Sequence, residues 1–229
     1  TGKSEVPIHP KHFLSQKPWF TKYLNKNDVV LDLGSGNGQN AIKTAAMVRK
    51  ITACEIDQEL ISQAKTSALL KKIKNIKWEK ADLEQKIKFK NASFDKVLFL
   101  DVLEHLKKRE QILEEIRRIL KSDGLLFLGV PNSQTSWKKL QRSVGISSFS
   151  DPDHKVEYSE KSIKDLLKRH GYRIIHFGYG KLDIPARGLV DIIGGFSLSV
   201  YKYISKLRTD LSKNHPQEAA GFEIVAKKL

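Results

Sequence analysis

The chain has 229 residues, 40% of them hydrophobic, and its 41 lysines and arginines against 26 aspartates and glutamates leave a formal charge of +15. This is globular composition, long enough to bury a full α/β core and unlike a disordered chain. One cysteine, Cys54, excludes an internal disulfide and any cysteine-based zinc site, so a reducing, cytoplasmic setting is expected. The stretch TGKSEVPIHPKHF lacks the apolar core of a secretory signal. The longest charge-free apolar run, Ile192 to Tyr201, is about half of what spans a hydrocarbon core, which excludes a transmembrane helix. The basic excess permits phosphates, anionic lipids or nucleic acid as partners, and it equally suits the lysine-rich surface of an ordinary enzyme.

A helix is expected around 11–25. Five compact strands follow, DVVLDL (28–33), ITACEI (51–56), IKWEK (76–80), DKVLFL (95–100) and GLLFLGV (124–130), each bounded by turn residues. Helical patterns separate them at 39–49, 58–72 and 109–120, the last carrying Ile112, Leu113, Ile116, Ile119 and Leu120 at helical spacing and closed by SDG at 122–124. Further on come a helix near 159–169 closed by Gly171, a strand at 172–180 and a terminal strand GFEIVAKK at 221–228, the two strands forming a hairpin edge.

Between these two strands lies an insertion, 181–215, in which Leu189, Ile192, Ile193, Phe196, Val200, Tyr203, Ile204, Leu207 and Leu211 recur at helical spacing. It is amphipathic and basic, suited to a lid or a lipid-facing helix and equally to a packing helix. The alternation predicts a doubly wound, Rossmann-like α/β fold: seven strands, helices on both faces and an antiparallel last strand. No internal repeat or linker interrupts the chain, so 1–229 reads as a single domain. Within it, 1–26 holds the N-terminal helix, 27–131 the cofactor-binding core, 132–158 and 181–215 the substrate-side segments, and 221–229 the last strand.

The first strand runs into Asp32-Leu-Gly34-Ser-Gly36-Asn-Gly38, a strand-to-helix turn whose glycines let main-chain N–H groups approach a ligand closely. Gln39 stands where a dinucleotide fingerprint wants glycine, and no lysine followed by serine or threonine closes the turn, which disfavours NAD and excludes a phosphate-binding loop. Glu55, at the end of the second strand, is placed to accept from ribose hydroxyls, and Asp82, past the third, from an adenine amino group. An adenosine ligand at the carboxyl edge of the sheet is expected, with Asp57 an ordinary surface residue.

In these segments the chain resembles class I S-adenosylmethionine-dependent methyltransferases. VVLDLGSGNG is similar to the family's first motif, ACEID to its ribose motif and KADLE to its adenine motif. FDKVLFLDVLEHL and ILKSDGLLFLGVPN are similar to its fourth and fifth strands, so the likeness covers about 25–180 and the last strand. The resemblance implies that Asp32, Gly34 and Gly36 hold the methionyl end of S-adenosyl-L-methionine, with Gly38 completing the turn. It also implies that Glu55 holds the ribose, Ile56 and Leu83 the adenine faces and Asp82 the adenine edge, with Asp101 beside the transferring methyl group. DVLEHL and DPDHKVEYS look most like the branch that includes ubiquinone-biosynthesis O-methyltransferases and many glycan or lipid methyltransferases.

Methyl transfer to a hydroxyl needs an aligned acceptor and a base. His105 and His154 are candidates, since an imidazole titrates near neutrality, though either suits a structural role as well. Asp101, Glu104, His105 and His154 would also supply two oxygens and two nitrogens to a divalent metal. That set resembles the E-x-x-E-H plus histidine ligands of small-RNA 3′-terminal 2′-O-methyltransferases, with Asp101 the shorter counterpart of a glutamate.

The expected function is O-methylation of a small-molecule, lipid-linked or glycan acceptor, in the cytoplasm or peripherally at a membrane. Two alternatives are a metal-assisted RNA 2′-O-methyltransferase, for which the charge is the motive, and a non-catalytic cofactor-binding scaffold.

Overall fold

Short runs of Val, Ile, Leu and Phe form a seven-stranded sheet in the computed structural model, which describes residues 17–185 and 187–229. The strands are β1 (Val29–Leu33), β2 (Lys50–Glu55), β3 (Ile76–Lys80), β4 (Phe94–Leu100), β5 (Leu120–Pro131), β6 (Tyr172–Tyr179) and β7 (Gly221–Lys228), in the order β3-β2-β1-β4-β5-β7-β6. β1 to β5 are parallel, while β7 runs antiparallel to both β5 and β6. The expected fold is therefore present, including the antiparallel last strand. Every residue of β1 is buried, as a central parallel strand covered on both faces must be.

The helices are α1 (Gln39–Ala45), α2 (Gln58–Leu70), α3 (Arg109–Ile119), α4 (Ser136–Ser143), α5 (Glu160–Arg169), α6 (Arg187–Phe196) and α7 (Leu198–Asn214). Period-two alternation divides the core between the faces. Leu31, Val97, Phe99 and Leu126 pack with Ile112, Leu113 and Ile116 of α3 on one side, while Val30, Leu98 and Phe127 pack with Ala41 and Ala45 of α1 on the other.

Three expectations need correction. Of the helix expected at 11–25, residues 11–16 lie outside the described residues, and the remainder holds a 3-10 turn at Trp19–Tyr23, which buries Phe20 against Phe127 with ring centroids 5.5 Å apart. α1 stops at Ala45, four residues short of expectation. α3 ends at Ile119, and Leu120 is already extended and pairs with Phe94, so SDG lies inside β5 and does not close the helix. Burying Leu120 in the sheet decides that boundary.

The insertion folds into α6 and α7, broken at Ser197, whose side chain accepts from the Val200 N–H. Val190 and Tyr201 are buried with Ile184 and Ile204 against them. The other residues of the apolar periodicity point into solvent, among them Leu189 (63% exposed), Ile192 (59%), Phe196 (89%) and Tyr203 (69%). The packing-helix reading fails for this face.

Candidate active site

The order of the sheet reverses at β1, whose neighbours are β2 on one side and β4 on the other, and crevices at such switch points receive ligands. Here β1 gives way to the glycine turn. The N–H groups of Gly34 and Ser35 both donate to the Cys54 carbonyl at 2.9 Å, and Gly38 donates to Ser35 at 2.9 Å just before α1 begins. Gly34, Gly36 and Gly38 all have positive φ, +73°, +52° and +77°, in the left-handed region that glycine tolerates. Their surroundings differ. A β-carbon at Gly34 would lie 2.5 Å from Val102 and one at Gly38 2.5 Å from Trp78, whereas at Gly36 nothing lies within 4 Å. Two glycines serve close packing, and the middle one borders open space.

Two buried carboxylates belong to this turn, Asp32 at its start and Glu55 bound to its Gly36 N–H. Glu55 accepts from the N–H groups of Gly36 (2.8 Å), Ile56 (2.8 Å) and Asp57 (3.1 Å), which take three of the roughly four acceptor positions a carboxylate offers. Asp32 is 2% exposed and accepts from the Ala41 N–H, while its Oδ2 is buried without a partner. Burial, and then the charge of Glu55, push the Asp32 carboxyl up to about 7. A buried oxygen in that condition is a site for a cation, because unpaired burial is costly and an ammonium would relieve it.

Beyond the turn, Ile56 is 54% exposed at the end of β2, leaving an apolar face open, and Leu83 packs at the edge of the core. Asp82 is exposed, its carboxylate accepting from Glu84 N at 2.9 Å. Asp57 caps α2 through the Glu59 and Leu60 N–H groups, in keeping with its surface assignment.

On the other side of β4 a crevice of about 810 Å³ is lined by Asp101, Glu104, His105, His154, Tyr201 and Glu223, among others. Asp101 sits at φ +56°, a strained conformation for a non-glycine residue, while its N–H donates to Gly129 O at 3.0 Å. The turn Leu103–His105 follows and buries Glu104 to 1% exposure. Burial, followed by the charges of Asp101, Glu157 and Asp151, raises the Glu104 carboxyl to about 8. His105 is held below its ordinary range by burial and by neighbouring His154, whose ring centroid lies 4.7 Å away.

His154 is the best-oriented imidazole of the crevice. Its Nδ1 lies 3.0 Å from Glu157 Oε1, and Glu157 also accepts from Ser150 N and from the buried Lys138 ammonium. Burial alone would raise Glu157, but the hydrogen bonds from His154, Lys138 and Ser150 outweigh it and hold the carboxyl at about 2. In the neutral imidazole an ionised acceptor at Nδ1 favours the proton there, with the lone pair on Nε2. That nitrogen is 3.9 Å from Glu104 Oε1.

The ligand atoms of Glu104, His105 and His154 lie within 4.8 Å of one another, so three of the four expected metal-binding side chains converge; Asp101 is outside that group. Glu104 Oε2 and His105 Nδ1 are both buried without a partner.

Sequence reasoning gave no role to Glu157 or Glu223. Glu157 stands three residues after His154, and Lys138, in the substrate-side segment 132–158, lies on a helix, α4, that the sequence reading did not expect. Glu223 is raised to about 7 by burial and by Asp101, although Lys181 opposes this.

Residues 31–128 match the family described as a methyltransferase domain. Over 143 residues the chain is 25% identical to a probable S-adenosylmethionine-dependent methyltransferase of Mycobacterium tuberculosis, covering 62% of this chain and 48% of that one. It is 29% identical over 103 residues to the ubiquinone biosynthesis O-methyltransferase of Xanthomonas oryzae pv. oryzae, covering 45% and 43% respectively. The chain thus spans about half the length of these curated relatives. The crystal structure of a SAM-dependent methyltransferase from Methanosarcina mazei has the same fold, with a TM-score of 0.66 at 21% identity over 94% of this chain and 99% of that one.

Proposed function

Residues 31–128 are a methyltransferase domain of the class I, S-adenosylmethionine-dependent kind, and from that premise we propose that the chain acts as an O-methyltransferase. Its acceptor would be a small-molecule, lipid-linked or glycan hydroxyl. One observation carries the cofactor half of this reading. The turn leaves open space at Gly36, and Asp32 at its start keeps a buried oxygen without a partner, a combination that suits a ligand ending in an ammonium group.

Gly34, Gly36, Gly38 and Asp32 would hold the methionyl end and Glu55 the ribose. Ile56 and Leu83 would cover the adenine faces, with Asp82 at the adenine edge and Asp101 beside the methyl group. The bound cofactor supplies a sulfonium methyl that is already electrophilic, leaving the chain to align the acceptor and take its proton. His154 Nε2 is the proposed receiver of that hydroxyl proton, with the imidazolium formed then stabilised through Nδ1–H by Glu157. The X. oryzae O-methyltransferase likeness supports a hydroxyl acceptor. The buried single cysteine suits work in the cytoplasm.

The test is incubation of the pure protein with a cell extract and isotopically labelled methyl donor. Mass spectrometry should find a labelled ether. A protein that binds the donor and labels nothing, with or without Mg²⁺ or Mn²⁺, would be the cofactor-binding scaffold instead.

A second reading is favoured by the convergence of Glu104, His105 and His154 and by the orphaned Glu104 Oε2 and His105 Nδ1. These three residues would hold a divalent cation, with Glu157 orienting His154 from behind, and the cation would polarise the acceptor oxygen. An RNA ribose hydroxyl becomes the better acceptor in that case. Activity that persists after exhaustive chelation, with no copurifying metal, rejects this reading.

Cofactor binding should depend on pH through Asp32. Its carboxyl, raised to about 7, must ionise to pair with the ammonium, so affinity should climb up to about tenfold per unit below pH 7 and level off above it. Calorimetric titration between pH 5.5 and 8.5 tests this, and a flat profile counts against Asp32. The ligand-free protein should show the opposite trend. Asp32, Glu104 and Glu223 keep protons in the fold that the unfolded chain releases near pH 4. Their contribution to stability therefore declines as pH rises toward 8. His105, depressed in the fold, works the other way, with its gain complete by about pH 6.5.

A further inference from the structure

The α6–α7 hairpin has its polarity reversed relative to an ordinary surface helix. α7 buries Tyr201, Ser205 and Ser212 and turns Val200, Tyr203, Leu207 and Leu211 outward, one stripe at helical spacing. α6 does the same with Leu189, Ile192, Ile193 and Phe196. Exposed Lys202 and Lys206 stand one position before Tyr203 and Leu207, about 100° round the helix, so a basic row borders the apolar one. α4 extends the pattern with exposed Trp137, Leu140 and Val144, and it is tied to the two ends of the hairpin by Thr135 Oγ1 donating to Asp183 (2.9 Å) and Ser136 Oγ donating to Glu218 (2.6 Å).

Apolar exposure repeated at helical spacing along two packed helices marks a binding face. We infer that this face adsorbs to an anionic lipid bilayer, the apolar stripes entering the interface while the lysines reach anionic headgroups. Charge selects this occupant over a second copy of the chain. A two-fold self-contact sets like surface on like surface and would bring the lysine rows together on a chain of charge +15, whereas anionic headgroups neutralise them. Apolar residues on one side of a helix with lysines beside them are the pattern of an interfacial helix, and no described helix is long and apolar enough to cross a membrane. The inner side of the hairpin contributes Asp191, Tyr201, Arg208 and Thr209 to the crevice, so adsorption would bring the crevice close to the lipid surface.

This adsorption does not depend on the proposed methyl transfer and is tested without cofactor. The full chain is sedimented with vesicles of phosphatidylcholine alone and with vesicles that also contain phosphatidylglycerol. Binding is expected to the second kind and to weaken with salt. Lys202→Glu with Lys206→Glu should weaken it by about twenty-fivefold or more, taking each lysine at about fivefold. The combined substitution Ile192→Ser, Phe196→Ser and Leu207→Ser should abolish it, with unchanged circular dichroism verifying the fold. Failure to bind either vesicle overturns the inference, as does binding that both variants retain. Sedimentation velocity supplies a further decisive outcome: a wild-type dimer that the serine variant converts to monomer would assign the face to a second copy.

Discussion

Replacement of Gly36 by arginine is expected to abolish binding of S-adenosylmethionine and leave the fold intact. The backbone penalty is modest, about 1–2 kcal/mol for a β-carbon at φ +52°, and that β-carbon meets no atom within 4 Å. The side chain enters the proposed ligand space instead, carrying a cation toward Glu55, and so competes with the cofactor for both room and charge. A loss of at least about a thousandfold, roughly 4 kcal/mol, should be seen by calorimetry. Gly38→Ala supplies the contrast. Its β-carbon would lie 2.5 Å from Trp78 and 2.8 Å from Ala64, so the penalty falls on packing. A destabilisation of about 2 kcal/mol would lower Tm by roughly 4–8 °C. If Gly36→Arg still binds the cofactor, the cradle has been misassigned.

Removal of the imidazole at His154 should lower kcat by about a hundredfold to ten-thousandfold while leaving cofactor affinity unchanged. His154 lines the crevice and is none of the residues proposed to hold the cofactor, so turnover and cofactor affinity are measured separately. Glu157→Gln should give a smaller loss and shift the pH–rate profile, since the amide no longer holds a charge against Nδ1–H. Lys138→Met, in contrast, leaves Glu157 buried with one cationic partner fewer and should appear mainly as instability of about 3 kcal/mol. Undiminished turnover in His154→Ala would remove it from the mechanism.

The glycine turn was legible because its signals are local. Strand, turn and helix follow one another within Val29–Ala45, and the glycine spacing states the backbone conformation directly. The crevice around His154 is assembled from a distance. Lys138, His154 with Glu157, and Glu223 belong to three segments of chain, and no local pattern marks that a lysine on α4 will be buried beneath a carboxylate. Periodicity also has a sign problem. The recurrence of Leu189, Ile192, Phe196, Tyr203 and Leu207 correctly announced helices with an apolar stripe, but spacing alone does not say whether the stripe faces the core. Here Ser205 and Ser212 took the inward places.

The placement of β7 between β5 and β6 bears on how such a chain can diversify. Tyr179 and Phe222 are register partners, and Ala220 N donates to Lys181 O at 2.8 Å, so the chain leaves the sheet for the helical hairpin and re-enters it at adjacent points. The hairpin is in effect a cassette with its two ends clamped side by side. It can be lengthened, shortened or exchanged while the glycine turn and the carboxylates beside it stay in place. Descendants of one ancestral sheet could thereby acquire new acceptors by replacing a single contiguous insert, and a chimaera that carries a foreign hairpin between Tyr179 and Phe222 is the natural starting point for redirecting this protein.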